Sequence, residues 1–269
     1  HLGAAHGSVE ARMRLLRRLS LLLLGCVAVI ATVVAVRTAT YSRPAASTSA
    51  VTPSSGVPVD SGRAAAHLSE AVRIRAVSHQ DRNDNDRAEF ERFLGWLQTT
   101  YPATHQVMSR ELVADLTPVY TWTGSDPTLP PVVLMAHYDV VPVTSGTEVD
   151  WKHPPFDGVI ADDAVWGRGS VDDKGTLVAI FEAVEALAAS GFNPRRAVLI
   201  LSGHDEEAGG SGARAVAEQW KSSGIRPSFA LDEGLAVIAD MPLLGRPVAL
   251  IGVAEKGYAT LRITAPAKG

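Results

Sequence analysis

Val132-Val133-Leu134-Met135-Ala136 runs directly into His137-Tyr138-Asp139, so a short apolar run ends on an imidazole and a carboxylate. A run of this length and composition reads as a strand buried on both faces. Three later segments have the same form. Gly167-Arg168-Gly169-Ser170-Val171 leads into Asp172-Asp173-Lys174-Gly175, Val198-Leu199-Ile200-Leu201-Ser202-Gly203 into His204-Asp205-Glu206-Glu207, and Phe229-Ala230-Leu231 into Asp232-Glu233-Gly234. Around them, apolar spacing predicts helices over 64–77, 86–99, 175–189 and 212–222, and strands over 118–122, 132–136, 197–202 and 228–231. Alternating strands and helices imply an α/β fold with a mixed, largely parallel sheet covered by helices on both faces. In such sheets ligands sit at the carboxyl ends of the strands, where all four acidic clusters are expected to meet.

Each cluster alone has a bland reading. His-x-Asp at a strand end is commonly a satisfied histidine, Asp-Asp-Lys-Gly before a helix an N-cap, and Asp-Glu-Glu before glycines a solvated loop. Four in order, each after an apolar run, are hard to explain as surface decoration. So many carboxylates at one point repel one another unless a cation neutralises them. The single cysteine, Cys26, excludes disulfides within the chain and any zinc site built on two or more thiolates. Imidazole plus carboxylate suits Zn2+ or a similar divalent ion.

Met135-Ala136-His137-Tyr138-Asp139-Val140-Val141-Pro142, the stretch from Gly167 to Gly175, Gly203-His204-Asp205-Glu206-Glu207 and Leu231-Asp232-Glu233-Gly234 resemble the co-catalytic di-zinc peptidase family of carboxypeptidase S, aminoacylase-1 and glutamate carboxypeptidase. Trp151-Lys152-His153-Pro154-Pro155-Phe156 and Glu255-Lys256-Gly257-Tyr258 are similar to the branch holding carboxypeptidase S and the N-fatty-acyl-amino-acid synthase/hydrolase. The resemblance covers roughly residues 64–269. It implies two Zn2+ ions, with Co2+ or Mn2+ as possible substitutes. His137 and Asp232 would hold one, Glu207 the other, and Asp172 both. Glu206 would be the general base, and Asp139 would bond His137 from behind. A metal-bridging hydroxide would attack the amide carbonyl of a dipeptide, a C-terminal peptide or an N-acyl amino acid. The resemblance further implies a cis peptide at Asp172–Asp173, and a lid domain that begins at 255–269 and supplies a final zinc histidine, an oxyanion histidine, carboxylate-binding groups and a possible homodimer contact. On this reading the sequence stops before the site is complete, and the piece alone is expected to be inactive. An aminopeptidase on the same fold and an inactive membrane-displayed binding module are the alternatives.

The formal charge of -4 hides an asymmetry. Taking the six Arg and one Glu of residues 1–43 from the totals of 25 and 29 leaves 19 basic against 28 acidic residues. An acidic body argues against a nucleic-acid partner. Arg12, Arg14, Arg17 and Arg18 precede an uncharged run over 19–36, long enough to cross a bilayer as a helix. The arginine excess in front predicts a cytoplasmic segment 1–18 and a catalytic domain on the far side. A cleaved signal peptide is the second reading, but the apolar run is long for one. A lipoprotein box at Leu23-Leu24-Gly25-Cys26 is the third, but the chain stays apolar beyond Cys26. Residues 37–60, rich in Ser, Thr, Ala and Pro, read as a disordered linker, and 61–254 as the N-terminal part of the catalytic domain. Met13 is a candidate true start.

Other signals are set aside. Gly167-x-Gly169 lacks a third glycine in register. Asp81 to Asp86 lacks the glycine and glutamate of a calcium loop. His204, beside Asp205, reads as a structural residue or as one supporting the ligands from behind, and Ser211 lacks a nucleophile pattern.

Overall fold

The computed structural model describes residues 2–41, 56–234, 237–242, 244–252, 261 and 263–265. The segment Glu255–Tyr258, most of the expected lid and most of the expected linker lie outside the described residues. The chain divides into two units, His1–Gly56 and Val57–Gly269.

In the first unit one helix, α1 (Leu2–Thr40), contains the apolar run. Over Met13–Thr40 it is long and apolar enough to cross a membrane. The helix therefore extends past both ends of the expected span 19–36, with no proline from Leu2 to Thr40 to break it.

The second unit opens with α2 (Ser61–Val72), α3 (Arg87–Thr100) and α4 (Pro102–Val107). Asp60 caps α2 by accepting the amides of Gly62 and Arg63, and Asp86 caps α3 through Ala88. α2 starts before the expected 64–77 and stops short of it. Its last carbonyls meet the buried ammonium of Lys174, which donates to Ala71 at 3.0 Å and Ile74 at 2.6 Å. The chain then leaves the helix, and Val77 pairs with Val140. Phe90, Phe93, Leu94 and Leu97 form the buried stripe of α3 at helical spacing. α4 begins on a proline, and its free amides at Ala103 and Thr104 are taken by Glu185 at 2.9 and 2.7 Å.

The strands are β1 (Ser109–Val113), β2 (Thr117–Trp122), β3 (Val132–His137), a separate hairpin of β4 (Val159–Ala161) and β5 (Ala164–Trp166), then β6 (Val198–Gly203) and β7 (Phe229–Leu231). A last pair, β8 (Val237–Ile238) and β9 (Val248–Ala249), is antiparallel. The central sheet has the order β1-β2-β6-β3-β7. β6 and β7 flank β3 in parallel, while β2 runs against both β1 and β6. Only β2 is reversed, so the carboxyl ends of β3, β6 and β7 open on one edge. β1 has no sequence signal; Ser109-Arg110-Glu111-Leu112-Val113 is mostly exposed and is held by its pairing with β2.

Two helices follow the site segments, α5 (Lys174–Ala189) and α6 (Ser211–Ser222). One core holds Phe90, Phe93, Tyr101, Tyr120, Tyr138, Leu177, Phe181 and Ile200, packing α3 and α5 onto one side of the sheet. A smaller cluster of Val119, Leu201 and Val216, with Trp220 against it, seats α6 on β2 and β6. The cluster at Asp172 differs from expectation in one respect. It follows no strand of the central sheet but a turn after the β4–β5 hairpin, directly before α5.

Candidate metal centre

β3 carries His137 to the sheet edge, where the ring is 3% exposed. Its Nδ1 lies 3.0 Å from the main-chain carbonyl of Asp139 and 3.3 Å from that residue's carboxylate. Its Nε2 faces the opening, 3.0 Å from Asp172 and 3.8 Å from both Glu206 and Glu233. The ring is thus fixed from behind and ringed in front by carboxylates that are 63, 51 and 40% exposed. Asp139 is fully buried, and its carboxylate accepts the Ser78 hydroxyl at 2.6 Å and the amides of Glu206 and Glu207 at 3.1 and 3.2 Å. The expected partnership of Asp139 with His137 therefore runs through both its main chain and its side chain. The same carboxylate also holds the turn after β6.

The peptide between Asp172 and Asp173 is cis. Asp173 occupies the first cap position of α5 but makes no capping bond there. Its carboxylate instead receives the main-chain amide of His137 at 3.3 Å. Glu207 is half-buried beside Asp172 and His137. Asp232 lines one small cavity with His137, Gly203 and Glu206. Its own carboxylate accepts the amide of Glu233 at 2.9 Å. Glu233, which no sequence argument singled out, is the residue brought to His137. His137, Asp172 and Glu233 each place one ligand atom within 4.8 Å of the others. The sequence signal was present, since Glu233 stands in the acidic pair after β7. Which member of an adjacent pair faces the histidine depends on the backbone beyond Leu231.

The field of the site follows from this crowding. Burial works against the His137 imidazolium, but the carboxylates of Asp139, Asp173 and Glu206 outweigh it and push the group up to about 10. Burial raises Glu206 and Glu207, and the neighbouring Asp139 and Asp172 raise them further against the pull of His137. For Glu233, burial and the carboxylates of Asp173, Asp172 and Glu206 outweigh His137 and raise it to about 7. A site that holds a proton so firmly attracts cations in general. One imidazole with several carboxylate oxygens is a donor set that fits a divalent metal ion.

Of the remaining candidates, His204 is buried with Nδ1 2.6 Å from the Thr117 hydroxyl. Burial lowers its pKa. Lys174, read only as part of a helix start, is fully buried, and burial pushes its ammonium down to about 7.

Residues 133–251, the stretch that carries all of these groups, match the model of peptidase family M20/M25/M40. This segment belongs to that family. Among curated M20 relatives, the chain is 38% identical over 206 residues to "Probable carboxypeptidase S-like 2" of Dictyostelium discoideum, covering 74% of this chain and 39% of the relative. It is 37% identical over 199 residues to the human N-fatty-acyl-amino acid synthase/hydrolase PM20D1, covering 73% of this chain and 39% of the relative. It is 40% identical over 210 residues to carboxypeptidase S of Saccharomyces cerevisiae, covering 73% and 36%. The chain thus spans well under half the length of the curated relatives it matches. Human carnosine dipeptidase 1 shares the fold, with a TM-score of 0.53 at 23% identity over 65% of this chain and 39% of that one.

Proposed function

We propose that this protein is a di-zinc hydrolase that cleaves the amide bond of dipeptides, C-terminal peptides or N-acyl amino acids carrying a free carboxylate. The observation that carries the reading is the contact of the buried His137 Nε2 with Asp172, with Glu206 and Glu233 beside them. His137, Asp172 and a carboxylate from the Asp232–Glu233 pair would hold one ion, and Asp172 with Glu207 would belong to the second. When bound, such a metal pair polarises the scissile carbonyl and lowers the pKa of an attacking water toward about 7.

Glu206 supplies the proton chemistry. Its raised pKa suits a carboxylate that accepts a proton from the attacking water and then delivers it to the leaving amine. Asp139 holds the His137 ring from behind and fixes which nitrogen faces the site. The relatives named for carboxypeptidase and N-acyl amino acid hydrolysis support the substrate class. The apolar run of α1, with arginines only at its ends, supports a single-pass anchor with the catalytic domain outside the cytoplasm. A homodimer through a lid domain belongs to the same reading.

The test is Glu206→Gln in the full-length protein. Zinc binding by calorimetry should stay close to that of the unchanged protein, while hydrolysis of an N-acyl amino acid falls at least about 100-fold. Near-normal turnover would remove Glu206 from the mechanism. Equal rates on substrates whose carboxylate is amidated would overturn the substrate class.

A further inference from the structure

The turn from Asp205 to Gly210 carries both Glu206 and Glu207, and it is tied down by two buried carboxylates. Asp139 accepts the amides of Glu206 and Glu207. Asp205, 1% exposed, accepts the amides of Ser211 at 3.0 Å and Gly212 at 2.9 Å, together with the Ser211 hydroxyl. The turn thereby starts α6 and closes on itself through the bond of the Gly210 amide to the Asp205 carbonyl at 2.6 Å. Each of these carboxylates also receives a donor from one and the same distant loop. Ser78 reaches Asp139 at 2.6 Å. Arg82 reaches Asp205 at 3.1 Å and the Ser211 hydroxyl at 2.6 Å through the same Nη2.

That loop is itself well anchored. Its base pairs with the chain after β3, where Ser78 donates its amide to Val140 at 3.1 Å. Its tip is a single 3-10 turn, Arg82–Asp84, whose cap is Asp81. The Asn85 side chain accepts the His79 amide at 2.8 Å and closes the loop across its neck. The acidic run from Asp81 to Asp86 therefore has a use unrelated to calcium. It shapes a rigid arm that delivers one guanidinium.

We propose that Arg82 is a positioning residue, and that the arm Ser78–Asn85 clamps the turn bearing the base and the adjoining ligand through Asp205 and Asp139. This rests on the reading of Glu206 and Glu207 given above. A guanidinium–carboxylate bond is charge-assisted and directional, and it acts here on a carboxylate buried at the foot of the turn. Arg82 itself is 61% exposed and contributes nothing to the core, so it can be replaced without opening a cavity. Without it, Asp205 keeps its helix-capping bonds but loses the contact that fixes the turn against the arm. A base displaced by about 1 Å loses on the order of 100-fold in rate.

The experiment uses the full-length protein, lid domain included, with Arg82→Gln and Arg82→Lys. Hydrogen exchange, which needs neither metal nor substrate, should speed up about ten-fold or more in the peptide covering Asp205–Gly210 of Arg82→Gln. β3 and α5 should be unchanged, and Arg82→Lys should lie between. In turnover of an N-acyl amino acid, kcat should fall about ten-fold or more, with KM within about two-fold. Unchanged exchange in the turn overturns the clamp. So does a loss confined to KM, which would make Arg82 a substrate contact, or an equal speeding of exchange throughout the domain, which would make it a general stabiliser. If the unchanged full-length protein hydrolyses no such substrate, the proposed function fails, and the exchange result still decides the clamp.

Discussion

Lys174 illustrates how a single side chain in this site acts on architecture. Its ammonium is fully buried, donates to the carbonyls of Ala71 and Ile74, and lies 5.5 Å from the centre of the Phe93 ring. The Ala71 carbonyl belongs to the last turn of α2 and the Ile74 carbonyl to the chain just beyond it. Lysine is long enough to reach them from the first residue of α5, and so ties the segment after Asp172-Asp173 to the opposite helix. Replacing it by Met keeps the volume but takes the Lys174 donor from the Ile74 carbonyl, at a cost of about 1–3 kcal/mol, reduced by no longer burying a charge, while Ala71 keeps the Ile74 amide at 3.2 Å. Lys174→Met should therefore lower the urea midpoint clearly at neutral pH. An unchanged midpoint would mean that the Ile74 carbonyl finds another donor.

At the scale of elements, α6 sits where it does because its first turn has no room to spare. A Cβ on Gly212 would lie 2.0 Å from the Thr117 hydroxyl and 2.7 Å from His204 Nδ1. Both neighbours are buried and bonded to each other, so neither can swing away cheaply. Gly212→Ala should push α6 off the end of β2 and destabilise the domain by about 2–4 kcal/mol. Thr117→Ala removes the nearest obstacle, so in the Gly212→Ala background it should cost less than it does alone. A double-mutant cycle by thermal unfolding reads that coupling. Additive losses would show that the close approach is relieved elsewhere.

At the scale of the molecule, the two units call for different solvents. Met13–Thr40 exposes leucines and valines along its whole length, whereas Val57–Gly269 buries Phe90, Phe93, Tyr101, Tyr120, Tyr138 and Phe181 in a sheet-and-helix core. In detergent phase separation the whole chain should enter the detergent phase, and a piece beginning at Val57 should stay in the aqueous phase. Recovery of the whole chain in the aqueous phase would remove the membrane reading of α1.

The apolar runs at 132–136 and 198–203, and the helical stripe of α3, determined the α/β class, because period and composition act locally and survive in one dimension. The order of the acidic clusters likewise carried the family resemblance, and with it the candidate set His137, Asp139, Asp172, Glu206, Glu207 and Asp232, because motif order is written in the chain itself. β1 left no trace because its stability comes from pairing with β2. The early stop of α2 was invisible because the group that takes its last carbonyls, Lys174, lies 100 residues from Ile74 in sequence. Only the tertiary structure decided that Glu233 faces His137, that Asp139 serves the turn after β6 as well as the ring, and that Arg82 meets Asp205. Each of these depends on the direction of a side chain across elements far apart in sequence, and direction is set by packing, which no local pattern encodes.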